Sequence, residues 1–135
     1  MALSGPAPRP DAGLLVLRLG LGALLLFHGV YKVTHGVAWI AGPLSGAGLP
    51  AWLQYGVYIG EVLAPVLVIL GLWTRPAALA IAIDMFMAIF LARRADVGKV
   101  NPMGGGWAIE LELLYLVAAL TLALAGGGRY GLGKR

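Results

Sequence analysis

In this chain of 135 residues, 60% are hydrophobic, 12% are charged, and mean hydropathy is +0.87. Soluble domains carry about 45–50% apolar and about 25% charged residues, so this composition in water would expose large apolar patches and aggregate. With no cysteine, disulfides, thiolate metal sites and a cysteine nucleophile are excluded. The net charge of +4 comes from bases at segment ends, which is a membrane pattern and not a nucleic-acid patch.

Residues 1–13 hold Pro6, Pro8 and Pro10 with Arg9 and Asp11, and read as a disordered tail, not a signal peptide. A first apolar segment runs from about Gly13 to Val33 and contains Arg18, His28 and Lys32. About 20 helical residues cross a ~30 Å hydrocarbon core, so it is long enough to span. Arg18, Gly22, Leu25, Gly29 and Lys32 share heptad spacing, which predicts one stripe facing a bundle, with glycines admitting close helix approach. Residues Thr34 to Ala51 are rich in glycine and proline, and their Trp39, Ile40 and Leu44 predict an interfacial loop.

A second segment, Trp52 to Leu72, contains Glu61 and Pro65, and the proline predicts a kink. After a tight turn, Pro76 suits the first turn of a third segment that runs to about Ala92, with Asp84 near its middle. A basic, then glycine-rich loop (Arg93 to Gly106) leads to a fourth segment, Trp107 to about Ala125, with Glu110 and Glu112. Residues 126–135 form a basic tail. The expected fold is all-α, an integral membrane bundle of four transmembrane helices over residues 14–125. A soluble bundle needs a polar helix face, and Leu113 to Ala125 offers almost none.

With four spans, one side holds Arg9, Arg18, Arg75, Arg129, Lys134 and Arg135, and the other holds Lys32, Arg93, Arg94 and Lys99. The positive-inside rule then puts both termini in the cytoplasm.

Four of the six acids, Glu61, Asp84, Glu110 and Glu112, fall in apolar segments. Ionisable groups at membrane depth face a bundle interior, a partner or a cavity. Glu61 lies ~13 Å in from the outer side at ~1.5 Å per residue. His28, Lys32, Glu61 and one of Glu110 and Glu112 are therefore expected to meet in the outer half. The two glutamates point roughly 200° apart, so only one lines the interior. Arg18 is expected to snorkel or to pair with Asp84 as a structural ion pair. The same charges could serve only as helix–helix ion pairs. Tyr31, Trp39, Trp52, Tyr55, Tyr58 and Trp107 read first as an aromatic belt and second as a stacking wall for a ring-shaped ligand. His28 and His35 are too few and too far apart for a convincing metal or haem site, which leaves a lone axial ligand open.

Leu17-Arg18-Leu19-Gly20 followed by Phe27-His28-Gly29-Val30-Tyr31-Lys32 resembles the first-helix signature of the DoxX family. Gly60-Glu61 with Leu70-Gly71-Leu72-Trp73-Thr74-Arg75 resembles its second helix and turn. Glu110 or Glu112 matches its fourth-helix acid, and Gly128-Arg129-Tyr130-Gly131 resembles its closing motif. Asp84 is not a hallmark of that pattern. The resemblance implies a small four-helix protein of the bacterial or archaeal inner membrane. It further implies a link to quinone-dependent redox systems, including a thiosulfate:quinone oxidoreductase subunit, and to oxidative or thiol stress.

On this reading the chain is a membrane subunit or accessory protein of a quinone-linked redox system, with a protein partner or as a homo-oligomer in the lipid bilayer. Quinone is the expected ligand: His28 or Lys32 would hydrogen-bond a quinone oxygen, and Glu61 would relay protons. The alternatives are a structural or assembly subunit without its own chemistry and, ranked last, a small transporter or proton pathway. The residues do not assign an enzymatic activity to the chain itself.

Overall fold

The computed structural model describes residues 9–133. All regular structure in that range is helical, apart from one isolated antiparallel bridge between Val100 and Trp107. Residues 1–8, most of the expected tail, lie outside the described residues, as do Lys134 and Arg135.

Helix α1 spans Pro10–His35 and so begins three residues before the expected start. Pro10 suits the first helical turn, where its missing N–H has no partner to lose, and Asp11 complements the dipole there. A short helix, α2 (Ala41–Gly46), follows a 3₁₀ turn at Ala38–Ile40. Val37, Ile40 and Leu44 are buried and Trp39 is exposed, so the expected interfacial loop packs as a cap.

Helix α3 spans Ala51–Leu70 without a break, but its geometry changes along its length. It opens as 3₁₀ (Ala51–Tyr55), widens to π over Ile59–Leu63, and ends as α over Ala64–Leu70. Pro65 is the physical reason for the widening. It has no N–H for the carbonyl of Glu61 four residues back, and its ring crowds that carbonyl. The expected disturbance at Pro65 thus takes the form of a π segment just ahead of it.

The freed Glu61 carbonyl oxygen lies against Gly29 of α1, and a Cβ there would collide with it. Gly29→Val should therefore force α1 and α3 apart and lower stability by about 1–3 kcal/mol, the usual cost of overpacking. Thermal unfolding in mild detergent measures this. Gly20→Ala, where a Cβ meets nothing within 4 Å, is the matched control.

Helix α3 ends in a Schellman arrangement: Leu72 N donates to Leu67 O (2.9 Å) and Gly71 N to Val68 O (3.2 Å). Gly71 takes the left-handed conformation this requires (φ 72°). Helix α4, Thr74–Ala92, follows at once with Pro76 in its first turn. Helix α5, Glu110–Ala125, has only 16 residues. Its start is later than expected because Trp107 belongs to the preceding loop, bridging Val100 and donating its ring N–H to Val97 O. Glu110 and Glu112 consequently lie in the first turn, where carboxylates favour the dipole.

The core lies between the four long helices. Leu21, Leu25, Val68, Ala78, Ile81, Met85, Ala119 and Leu122 meet there. The outward faces are apolar as well: Val16, Phe27, Ile83, Phe86, Leu114, Val117 and Leu124 are each more than half exposed. Such faces are stable against lipid and not against water. Helices α1, α3 and α4 are each long and apolar enough to cross a bilayer. At ~1.5 Å per residue, α5 reaches only ~24 Å.

Candidate functional site

The stripe of α1 predicted to face inward does so. Arg18, Gly22, Leu25 and Gly29 are buried and Lys32 is half-buried at its C-terminal end. Lys32 Nζ donates to both carboxylate oxygens of Glu61, each at 2.7 Å. The π turn that carries Glu61 holds it almost fully buried, and a charge in such a place is tolerated only when paired. Tyr58, one turn earlier, donates its hydroxyl to the Lys32 carbonyl at 3.4 Å.

The ion pair divides two cavities. The larger, about 310 Å³, lies between α2, α3 and α4. Its walls are mostly apolar, from Trp39, Leu44, Val57, Met87 and others, and its polar end is formed by Lys32, Glu61 and Asp84. The smaller, about 80 Å³, is lined by His28, Glu112 and Tyr115 on the opposite side of the same Lys32 and Glu61. His28 and Tyr115 meet edge to face with centroids 5.8 Å apart. Glu112 is also paired with Arg93, Nε to Oε1 at 3.5 Å, and Arg93 donates to the Ala108 carbonyl at 2.6 Å.

Four of the five residues proposed from the sequence for ligand binding or proton relay thus come together: Lys32 and Glu61 form the ion pair, and His28 and Glu112 line the smaller cavity beside it. The fifth, Glu110, is exposed at the start of α5 and its carboxylate folds back over Gly106.

The expected pairing of Arg18 with Asp84 does not occur, nor does Arg18 snorkel. Arg18 is 1% exposed and bonds only to carbonyls. Nε donates to Val68 O (2.9 Å), one terminal nitrogen to Ile69 O (3.0 Å), and the other to Gly127 O (3.3 Å) and Tyr130 O (3.1 Å). Val68 and Ile69 are in the last turn of α3, where carbonyls lack intrahelical partners and the dipole is negative. A guanidinium there needs no carboxylate. The closing segment is tied to the same spot, since Leu132 N donates to Leu70 O (3.0 Å).

Asp84 belongs instead to the ligand-sized cavity. It packs against Gly60, where an added Cβ would clash with its side chain. A depth count could have found this. Asp84 lies eight residues in from Pro76, or ~12 Å from one side at ~1.5 Å per residue. Glu61 lies ~13 Å from the other, so both approach the midplane of a ~30 Å core.

Several known proteins are similar to this chain over most of its length. The chain is 31% identical to an uncharacterized protein of Haemophilus influenzae over 123 residues, covering 90% of this chain and 89% of the relative. It is 31% identical to an uncharacterized membrane protein of Mycobacterium tuberculosis, covering 90% and 79%. It is 29% identical to a Bacillus subtilis protein named as a candidate oxidoreductase, CatD, covering 86% and 81%. No solved structure matches the chain. The DoxX family profile matches residues 13–94, which include most of α1, all of α2, α3 and α4, and the Lys32–Glu61 pair. This multi-helix membrane protein belongs to the DoxX family.

Proposed function

We propose that this protein is a four-span subunit of a quinone-linked redox system and that the 310 Å³ cavity receives the quinone headgroup. One observation carries this reading: an apolar cavity at membrane depth ends on an ammonium and two carboxyl groups, Lys32, Glu61 and Asp84. Ligand sites are mostly apolar with a few convergent polar groups, and ~300 Å³ is at the small end of their range. Trp39 supplies an aromatic face at the wall.

In this reading α5 completes the four spans, tilting or thinning the bilayer to match its length. Both termini are on the cytoplasmic side of the inner membrane, as the distribution of lysine and arginine favours. The cavity then opens in the outer half. Lys32 has one N–H beyond the two it gives Glu61, and directs it at a quinone oxygen. His28 faces the smaller cavity and does not touch the headgroup. With Glu112 and Tyr115 it lines a polar route along which protons reach Glu61. Reduction of a quinone takes up protons together with electrons, and a partner protein supplies the electrons. The oxidoreductase name borne by the Bacillus subtilis relative is in keeping with this role.

Titration of a short-chain quinone against the purified protein in nanodiscs tests the assignment. Glu61→Gln should weaken binding by about ten-fold, because it removes the charge that holds Lys32 in place. Unchanged binding in a folded Glu61→Gln protein removes the site. Lower stability or lower yield of a complex, with no quinone bound by the wild type, supports the alternative of a purely structural subunit, which the mutual pairing of Lys32 and Glu61 would serve.

A further inference from the structure

We infer that the large cavity is entered sideways from the bilayer, through a gap between α3 and α4, and that its ligand is a lipid-dissolved quinone whose apolar tail stays outside in the lipid. This rests on the cavity being the quinone site, and adds to that reading the route of entry and the class of quinone.

One cavity joins a deeply buried group to an outward surface of the bundle. Glu61 and Ile59 both line it, two residues apart on α3 and so well apart around the helix axis. Glu61 is 2% exposed and Ile59 is 55% exposed. Helix α4 repeats the pattern at the same height. Gly60 packs against Asp84, which fixes the register of the two helices. Ile83, beside that contact and at the centre of Thr74–Ala92, also lines the cavity and is 57% exposed. Ile59 lies ~12 Å from the start of α3 at ~1.5 Å per residue, so both isoleucines lie at the depth of the hydrocarbon and not of the headgroups. Gly56, one turn before Ile59, lines the same cavity without a side chain and widens the gap.

The end of the cavity under α2 is closed. Ile40 and Leu44 are buried there in an apolar cluster that takes in Leu53 and Val57 of α3 and Leu91 of α4. A water-borne ligand would have to lift this roof, whereas a lipid-borne one meets a gap already open. At about 310 Å³ the cavity takes a ring and its small substituents. A long tail does not fit beside the ring, and leaving it in lipid avoids exposing apolar surface to water. The ligand is thus an amphiphile that enters ring first, with the start of its tail between Ile59 and Ile83.

Two photoreactive quinones test this on the full chain in nanodiscs. One carries an azide on the ring, the other a diazirine on the tail unit next to the ring. Labelled residues are located by peptide mass analysis, with excess unmodified long-chain quinone as competitor. The ring probe should label the cavity wall. The tail probe should label Ile59, Ile83 or their neighbours on α3 and α4, and the competitor should displace both probes. Ile83→Trp lays an indole across the gap and should cut this tail labelling about ten-fold, the scale of forcing extra volume into a filled space. Leu79→Trp, one turn away on an exposed part of α4 that does not line the cavity, should leave it within about two-fold. Thermal unfolding near the wild-type midpoint shows that each variant is intact. If Ile83→Trp does not fold, Ile59→Trp blocks the same gap from α3. A ring probe in the cavity with the tail probe on exposed residues of α2, or on none, overturns the lateral route and leaves the quinone site standing. Unchanged labelling in a folded gap variant overturns it too, as does tail labelling that the competitor does not displace, the mark of an ordinary lipid chain in the gap. A ring probe that labels no cavity residue overturns the quinone site itself.

Discussion

Lys32→Met should destabilise the protein by about 3–5 kcal/mol, the cost of leaving one member of a buried ion pair uncompensated. Glu61 is almost fully buried, and Lys32 is its hydrogen-bonding partner on both oxygens. Glu61→Gln alone should also destabilise, because it strands the ammonium. The double variant, Lys32→Met with Glu61→Gln, should recover most of the loss, since it leaves neither member of the pair charged without its partner. The coupling is read from a double-mutant cycle of thermal unfolding in mild detergent. Additive losses in that cycle would mean that the two side chains do not depend on one another.

The second large effect belongs to Arg18. Its guanidinium caps the last carbonyls of α3 and fastens the closing segment through Gly127 and Tyr130. Arg18→Met keeps much of the apolar stem and removes these bonds. It should cost about 3–5 kcal/mol, because hydrogen bonds to charged groups are strong and the stranded carbonyls are buried. The loss should have a local signature as well. Leu132 and Gly133 donate to Leu70 and Gly71, so their amides should exchange with solvent at least about ten-fold faster once the clamp is gone. Amides in the middle of α4 should be affected less. Arg18→Lys should behave much like Arg18→Met, since one ammonium cannot reach carbonyls spread over two segments.

These two cations illustrate what could be read from the sequence. Heptad spacing along α1 identified the buried stripe correctly, because a helix repeats its faces whatever it packs against. Depth counting then brought Lys32 and Glu61 together, as both lie in the outer half when four spans alternate. The partner of Arg18 was not legible. Its ligands are main-chain carbonyls at a helix end, and backbone acceptors carry no residue-type signature. The choice between Glu110 and Glu112 also depended on where α5 begins. The pairing of Val100 with Trp107 delays that start, and a single bridge in an irregular loop leaves no periodic trace. The change of α3 to π geometry was only half legible. Pro65 marks the lost hydrogen bond, but whether a helix kinks or widens there depends on its neighbour, here Gly29 against the freed carbonyl. The position of Asp84 in the cavity depends on that widened turn, which brings Gly60 against it.

The arrangement therefore links a local backbone irregularity to a place for chemistry. Proline loosens the helix, glycine lets α1 approach, and the π turn holds Glu61 inward against Lys32. On either side of that pair the bundle leaves space, apolar and larger towards α2, polar and smaller towards α5. π turns of this kind are frequent at functional sites.

Whether the larger cavity holds a quinone is decided by native mass analysis of the protein purified in mild detergent from its membrane. The wild type should carry bound quinone or hydroquinone in about one-to-one ratio, an occupancy that survives only if the cavity binds it well. Gly56→Phe is the decisive comparison. Gly56 lines the cavity and is itself exposed, and a Cβ there meets nothing within 4 Å, so a ring can be added beside the cavity without disturbing the backbone. That variant should fold and carry no quinone. Quinone retained at the same ratio in folded Gly56→Phe, or absent from the wild type, would contradict the account.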